Sequence, residues 1–405
     1  MAEFIDDCVR SAVLKLNNSR KSKRELVLKR EQEIAVKDLL LGKHVLAVLP
    51  TGYGKSLIFT LFLLAQENMA KINKTERSSV LVISPLRSII EDQIAEMLSM
   101  DFSAVELSDK NVSEVVKSPP QYIYASAESA INKAFLDSLK NSNSAIHRSI
   151  ALIVVDESHT VETWTGKRSK RGSSIQSEAF RDAYGKLAIL RSMCKERTPV
   201  LALTGTADEV TQKVICSNLA ITDATKLFVS PNRTNLRFDI NKVPKTLMLS
   251  KLDWIANMIK QYNIVMPKTI IFCDTIYALA QVVNYLQMKL GTYAFYPNSS
   301  KKREDCLIGI FHSMIKEKYK QRIFESLKGS GTKRVVVATS ALSMGVNFPD
   351  VKYVVMYGPP RNLLDFHQQA GRAGRDGALA HTVLFYYGQQ VAHVENEMRE
   401  FLQFI

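Results

Sequence analysis

Short apolar, β-branched runs recur along the chain and alternate with longer stretches whose apolar positions repeat every three or four residues. One series comprises Val45–Leu49, Val80–Ser84, Tyr122–Ala125, Ile150–Val155 and Val200–Thr204. A second comprises Thr269–Cys273, Val335–Thr339, Val351–Met356 and Thr382–Tyr386. Each run is almost continuously apolar, the pattern of a strand covered on both faces of a parallel sheet. Ser88–Leu98 and Thr275–Lys289 read as amphipathic helices between strands, and Val391–Phe404 as a terminal helix. Such alternation predicts an α/β fold with parallel sheets, and two series predict two domains.

The stretch Val229–Thr246 is polar, carries Pro231 and Pro244, and separates the two series. It reads as a linker. Residues 1–26 are polar and basic, with Arg20, Lys21, Lys23 and Arg24 clustered, and read as a solvated arm. The expected organisation is an arm over 1–26, a first domain over 27–228, the linker over 229–246 and a second domain over 247–405.

Composition narrows the class. Of 405 residues, 46% are hydrophobic, too many for a disordered chain. No apolar stretch reaches the ~18 residues of a membrane span. The acidic start from Met1 to Asp7 lacks the basic flank and apolar core of a signal peptide. Cysteines at 8, 194, 216, 273 and 306 show neither disulfide-scaffold nor zinc-finger spacing. A reduced, soluble, intracellular protein is expected. Lys and Arg number 54 against 40 acids, leaving a net charge of +14. That excess points to a polyanion, nucleic acid or an acidic membrane face, or to a basic surface that is merely solvated.

The chemistry concentrates at two strand ends. Leu49-Pro50-Thr51-Gly52-Tyr53-Gly54-Lys55-Ser56 lies between a strand and an apolar helix, the context a phosphate-binding loop requires. Gly52 and Gly54 let the backbone turn so that N–H groups face phosphate oxygens, and the following helix adds its positive end. Lys55 would reach the β- and γ-phosphates, and the Ser56 hydroxyl would join a Mg²⁺ shell. The strict pattern fails at its first place, where Leu49 stands for glycine. The partner acids follow the strand Ile150–Val155 as Asp156-Glu157-Ser158-His159. Asp156 would hold Mg²⁺ through water, and Glu157 would position and polarise the attacking water.

With these residues in place, the chain resembles superfamily 2 helicases and, within them, the RecQ DNA helicases, from about Leu28 to Tyr387. Gln32 resembles the motif 0 glutamine that reads adenine; the family's usual Phe-Arg before it is Leu28-Lys29 here. Ser84-Pro85-Leu86-Arg87-Ser88, with Asp92-Gln93 after it, resembles motif Ia. Motif II is DESH where the family has DEAH. Thr204-Gly205-Thr206-Ala207 resembles motif III, which with His159 couples nucleotide to nucleic acid in the family. Ile270–Cys273 resembles motif IV and Ala338–Asn347 motif V. Gln368-Gln369-Ala370-Gly371-Arg372-Ala373-Gly374-Arg375 resembles motif VI. The resemblance implies two tandem RecA-like P-loop domains, with Gln368 among the catalytic residues and Arg372 and Arg375 acting on the γ-phosphate as arginine fingers do.

Trp164, Phe180, Arg181 and Tyr184 resemble the family's aromatic-rich loop, where a flat ring can stack a base of single-stranded DNA. An insertion over 165–179 divides them, and its Lys167, Arg168, Lys170 and Arg171 are candidates for DNA phosphates. A second departure, over 296–314, carries Lys301-Lys302-Arg303 and reads as a solvated loop, with Cys306 a packed residue. No zinc-binding or winged-helix region follows the second domain here, as in a minimal enzyme or a fragment.

The resemblance implies an ATP- and Mg²⁺-dependent 3′-to-5′ DNA helicase or translocase of DNA repair and recombination. It would work as a monomer on single-stranded and tailed duplex DNA, away from membranes, in the nucleus of a eukaryote or the cytoplasm otherwise. Two other readings stay open: an ATP-gated nucleic-acid clamp or scaffold, and a superfamily 2 RNA helicase.

Overall fold

The computed structural model describes residues 2–19, 25–73, 77–161, 183–329, 331–342, 348 and 350–404. The chain divides into two compact units, Met1–Ser230 and Pro231–Ile405. In the first, seven strands lie in the order β3-β4-β2-β5-β6-β1-β7. These are β1 (Val45–Val48), β2 (Ser79–Ile83), β3 (Ala104–Glu106), β4 (Tyr122–Ala125), β5 (Ile150–Val155), β6 (Val200–Thr204) and β7 (Thr225–Phe228). In the second, six strands lie in the order β10-β11-β9-β12-β13-β8. They are β8 (Leu236–Lys242), β9 (Lys268–Cys273), β10 (Ile308–Phe311), β11 (Val335–Ala338), β12 (Val351–Tyr357) and β13 (Ala380–Tyr386). Every strand pair is parallel. Both sheets are therefore α/β sheets, and their central strands are buried along their whole length, as the continuous apolar runs require.

Two expected boundaries change. The segment read as a basic arm forms helix α1 (Ala2–Ser19). Ile5, Cys8, Val9, Ala12 and Leu16 share one face and are buried in the same core as Phe59, Phe62 and Leu63. The Arg20–Arg24 cluster masked this periodicity, because net charge says nothing about spacing along a helix face. Leu16→Ala should lower the unfolding free energy of the first unit by about 2–5 kcal/mol. A urea midpoint equal to the wild type would show that α1 contributes no core.

The expected linker is also structured. Val229 N donates to Val48 O at 3.0 Å, continuing the edge of the first sheet. Strand β8 then pairs along its whole length with β13, from Leu236 opposite Ala380 to Lys242 opposite Tyr386. Apart from the buried Leu236 its residues are exposed or half-buried, which is why Leu-Arg-Phe-Asp-Ile-Asn-Lys looked like connecting chain. The 296–314 departure likewise contains β10 rather than loop alone. The expected terminal helix starts late, at Asn396, after a 3₁₀ turn over Gly388–His393.

Candidate nucleotide site

Four adjacent strands of the first unit, β2, β5, β6 and β1, end side by side, and their ends are cross-tied. Leu49 N donates to Thr204 O at 2.9 Å, Ser158 N to Leu203 O at 2.8 Å, and Asp156 N to Ile83 O at 2.9 Å. The phosphate loop, the acidic pair and the Thr204–Thr206 turn are thereby held on one edge of the sheet.

The loop runs from Leu49 into helix α3 (Lys55–Asn73). Gly52 and Gly54 have φ of +82° and +88°, the left-handed region glycine adopts without penalty. Behind the loop lies helix α2 (Arg30–Leu40), whose Gln32 is 2% exposed. Its amide Nε2 donates to Tyr53 O at 2.8 Å and Gly54 O at 3.2 Å, while Oε1 accepts from Lys29 N at 3.0 Å. The Tyr53 hydroxyl donates to Glu31, and Lys29 Nζ sits 3.8 Å over the Tyr53 ring. The motif 0 segment thus grips the loop's backbone. A Cβ on Gly54 would lie 2.7 Å from Gln32 Nε2. Gly54→Ala should therefore weaken nucleotide binding at least about tenfold and destabilise the loop by about 1–2 kcal/mol, the strain of an L-residue at positive φ. Titration with a fluorescent ATP analogue checks this; unchanged affinity would contradict the geometry.

Lys55 Nζ is buried, 3.9 Å from Glu157 Oε1, and donates no hydrogen bond to an acceptor among the described residues. A buried ammonium without an acceptor is costly unless an anion completes it. Asp156 is 7% exposed. Gln93 Nε2 donates to its Oδ2 at 3.0 Å and the Glu157 N–H to its Oδ1 at 2.9 Å. Burial, and next the Glu157 charge, push the Asp156 carboxyl above the usual carboxylate range; Lys55 pulls it back. Glu157 itself has φ of +46°, a strained conformation for a residue with a side chain. Two close carboxylates, a lysine without an acceptor and the hydroxyl of Ser56 at the first turn of α3 make a donor set that fits a magnesium–triphosphate group.

His159 is buried, and burial lowers its pKa, so the imidazole is neutral at pH 7. Its Nδ1 lies 3.0 Å from Thr204 Oγ1 and 3.5 Å from Glu157 Oε2. Thr204 Oγ1 already donates its proton to Thr206 O at 2.9 Å. The network therefore assigns the proton to His159 Nδ1, which links the acidic pair to the Thr204–Thr206 turn.

In the second unit, the helix Leu363–Ala370 carries Gln368 and is capped by Asn362, whose Oδ1 accepts from Asp365 N at 2.8 Å. Arg372 follows, 1% exposed, with its guanidinium 5.9 Å over the Phe348 ring. Arg375 Nε donates to Gly371 O at 3.2 Å. The turn is held from below by two residues that the sequence placed in a linker. Arg233 donates to the carbonyls of Gly371, Ala373 and Gly374, and Asn235 Nδ2 to those of Gly374 and Ala378. A Cβ on Gly374 would fall 2.6 Å from Asn235 Nδ2, so only glycine fits.

The first unit thus gathers Gln32, Thr51, Gly52, Gly54, Lys55, Ser56, Asp156, Glu157, His159, Thr204 and Thr206 at one edge, and the second holds Gln368, Arg372 and Arg375 on one turn. Trp164, Lys167, Arg168, Phe180 and Arg181 lie outside the described residues, as do residues 343–347 of motif V. Gln93, Arg233 and Asn235 were not read as site residues. Gln93 follows motif Ia in the sequence, but nothing local signals that its amide reaches a carboxylate 63 residues away.

Residues 29–214 match the DEAD/DEAH box helicase model, and residues 250–377 match the helicase conserved C-terminal domain. The ATP-dependent DNA helicase hus2/rqh1 of Schizosaccharomyces pombe is 29% identical over 369 residues, covering 88% of this chain and 25% of that protein. The ATP-dependent DNA helicase RecQ of Pasteurella multocida is 26% identical, covering 88% of this chain and 49% of its own length. This chain therefore carries both domains of a DEAD/DEAH-type helicase, and these relatives are RecQ-type DNA helicases. The chain thus spans half or less of these two RecQ relatives. Among solved structures, the DEAD-box helicase Mss116 bound to ssRNA and UDP-BeF shares the fold with a TM-score of 0.70 at 19% identity, over 95% of this chain and 75% of that one. Among the described residues, no helix is long and apolar enough to cross a membrane.

Proposed function

We propose that this RecQ-type core is an ATP-dependent DNA helicase that couples Mg-ATP hydrolysis to 3′-to-5′ movement on single-stranded DNA and to duplex unwinding. The observation that carries the reading is the buried Lys55 ammonium, which lacks an acceptor and stands beside the Asp156–Glu157 pair. The DNA-helicase names of most of the relatives, hus2/rqh1 and RecQ among them, support DNA over RNA as the track.

Each residue has a separable task. Gln32 fixes the loop and is placed to read adenine. The loop N–H groups and Lys55 hold the phosphates. Ser56, and Asp156 through water, would hold Mg²⁺, which would supply positive charge to offset that of the phosphates. Glu157 orients the attacking water and takes its proton. Arg372 and Arg375 stabilise the charge that develops on the transferring phosphoryl group. His159 passes the state of Glu157 to Thr204 and Thr206, and Trp164 senses the strand by stacking a base. A monomeric state and a role in repair and recombination belong to the same reading.

The test is unwinding of 3′-tailed, 5′-tailed and blunt duplexes of DNA and RNA with ATP and Mg²⁺. Unwinding of the 3′-tailed DNA alone is expected, and none after metal chelation. Hydrolysis stimulated by single strands without any unwinding would replace the helicase with a translocase or clamp. Trp164→Ala should leave basal hydrolysis intact while DNA no longer accelerates it; full stimulation by DNA would remove Trp164 from the sensor.

A further inference from the structure

The segment 291–307 of the second unit precedes β10, so it enters the sheet at the end where the parallel strands begin. Asp274, Thr339 and Gly358, which follow β9, β11 and β12, leave from the opposite end, where the helicase motifs lie. The segment is therefore remote from the motif edge of its own unit, and it is firmly built. Phe295 and Cys306 form an antiparallel bridge, Tyr296 N donates to Asp305 O at 2.8 Å, and Leu307 N donates to Ala294 O at 2.8 Å.

Beneath it lies Lys333, 8% exposed. Its ammonium donates to the carbonyls of Arg303 (3.0 Å), Glu304 (3.0 Å) and Cys306 (2.5 Å), so all three of its protons go to this one turn. The acids of the segment are occupied: Glu304 pairs with Arg322 at 2.6 Å, and Asp305 accepts from Ser300 Oγ at 2.6 Å. Lys301, Lys302 and Arg303 are exposed, and their side chains have no ion pair among the described residues. On the same segment Tyr293 and Tyr296 are 45% and 44% exposed. The result is a segment tied by backbone hydrogen bonds that carries three exposed cations without ion pairs and two exposed rings.

Exposed cations and exposed aromatic rings on one segment are what a flexible polyanion bearing planar bases requires. We propose that residues 293–303 form a second contact site for single-stranded nucleic acid, at the edge of the second unit away from the helicase motifs. Lys301, Lys302 and Arg303 engage phosphates, and Tyr293 and Tyr296 pack against bases. The class of ligand rests on the nucleic-acid reading above; the location does not.

The test uses the full chain and a fluorescent oligo-dT strand, followed by anisotropy across a salt series. K301Q/K302Q/R303Q should bind at least about fivefold more weakly at low salt, and its plot of log affinity against log salt should be shallower by about 2, the loss of three single-strand phosphate contacts. Y293A/Y296A should weaken binding without changing that slope. A charge-matched control in the first unit, K117Q/K133Q/K140Q, should behave as the wild type. Hydrolysis at saturating strand should be unchanged in all of them. Unaltered affinity and slope in K301Q/K302Q/R303Q would overturn the site and leave the face to an acidic protein partner. Equal losses in the control would overturn it as a net-charge effect. Failure of the wild type to bind any strand would overturn the nucleic-acid reading as well, so the two failures are distinguishable.

Discussion

Lys55→Ala should abolish ATP hydrolysis, with turnover falling by roughly 10²–10³-fold or more, the scale of losing one charged stabiliser of a developing oxyanion. Two physical losses combine. The phosphates lose their buried cation, and Asp156 and Glu157 lose the positive charge that offsets their repulsion. The Asp156 carboxyl then moves further above its ordinary range, so less of it is ionised to hold a metal. Lys55→Arg should not rescue, because the larger planar group needs space and an orientation that the site does not offer. A steady-state ATPase assay with and without single-stranded DNA measures the loss, and binding of a fluorescent strand should persist. Turnover near the wild-type value would refute the phosphate-loop reading.

Arg375→Ala should reduce turnover by roughly 10³-fold or more while nucleotide affinity changes little, as when an arginine finger is removed. Arg375 is the cleaner choice of the two. Arg372 is almost wholly buried, and its truncation would leave a cavity that mixes folding with catalysis. Arg375 is only half-buried, and the turn that carries it is held independently by Arg233 and Asn235. Far-ultraviolet circular dichroism should match the wild type, and Arg375→Lys should recover little because the fork geometry is lost. Turnover within twofold of wild type would exclude Arg375 from the transition state.

What the sequence made legible follows from where each element lies. The nine strands read from apolar runs are all interior or next to interior positions of the two sheets, where both faces are buried and periodicity is simple. The four missed strands are the four sheet edges, β3 and β7 in one unit and β8 and β10 in the other. Ala104–Glu106 is half-exposed throughout, and Thr225–Phe228 and Leu236–Lys242 mix solvated and buried positions, so composition made them look like loop. The nucleotide site was legible because each part is encoded within a few residues: glycines before a lysine, acids after a strand, arginines three apart. Gln93, Arg233 and Asn235 act across long sequence separations on backbone carbonyls or a distant carboxylate. No local pattern announces such partners.

The placement of those edges bears on how the protein is made. Strand β1, the earliest of the first unit, is flanked by β7, the latest, with Val45 opposite Thr225. In the second unit β8 comes first and pairs with β13, the last, with Leu236 opposite Ala380. Neither sheet can close until its final strand has been synthesised, and each closure brings together the ends of a long loop. On the ribosome the phosphate loop therefore emerges early but lacks one of its flanking strands until nearly the whole first unit has been translated.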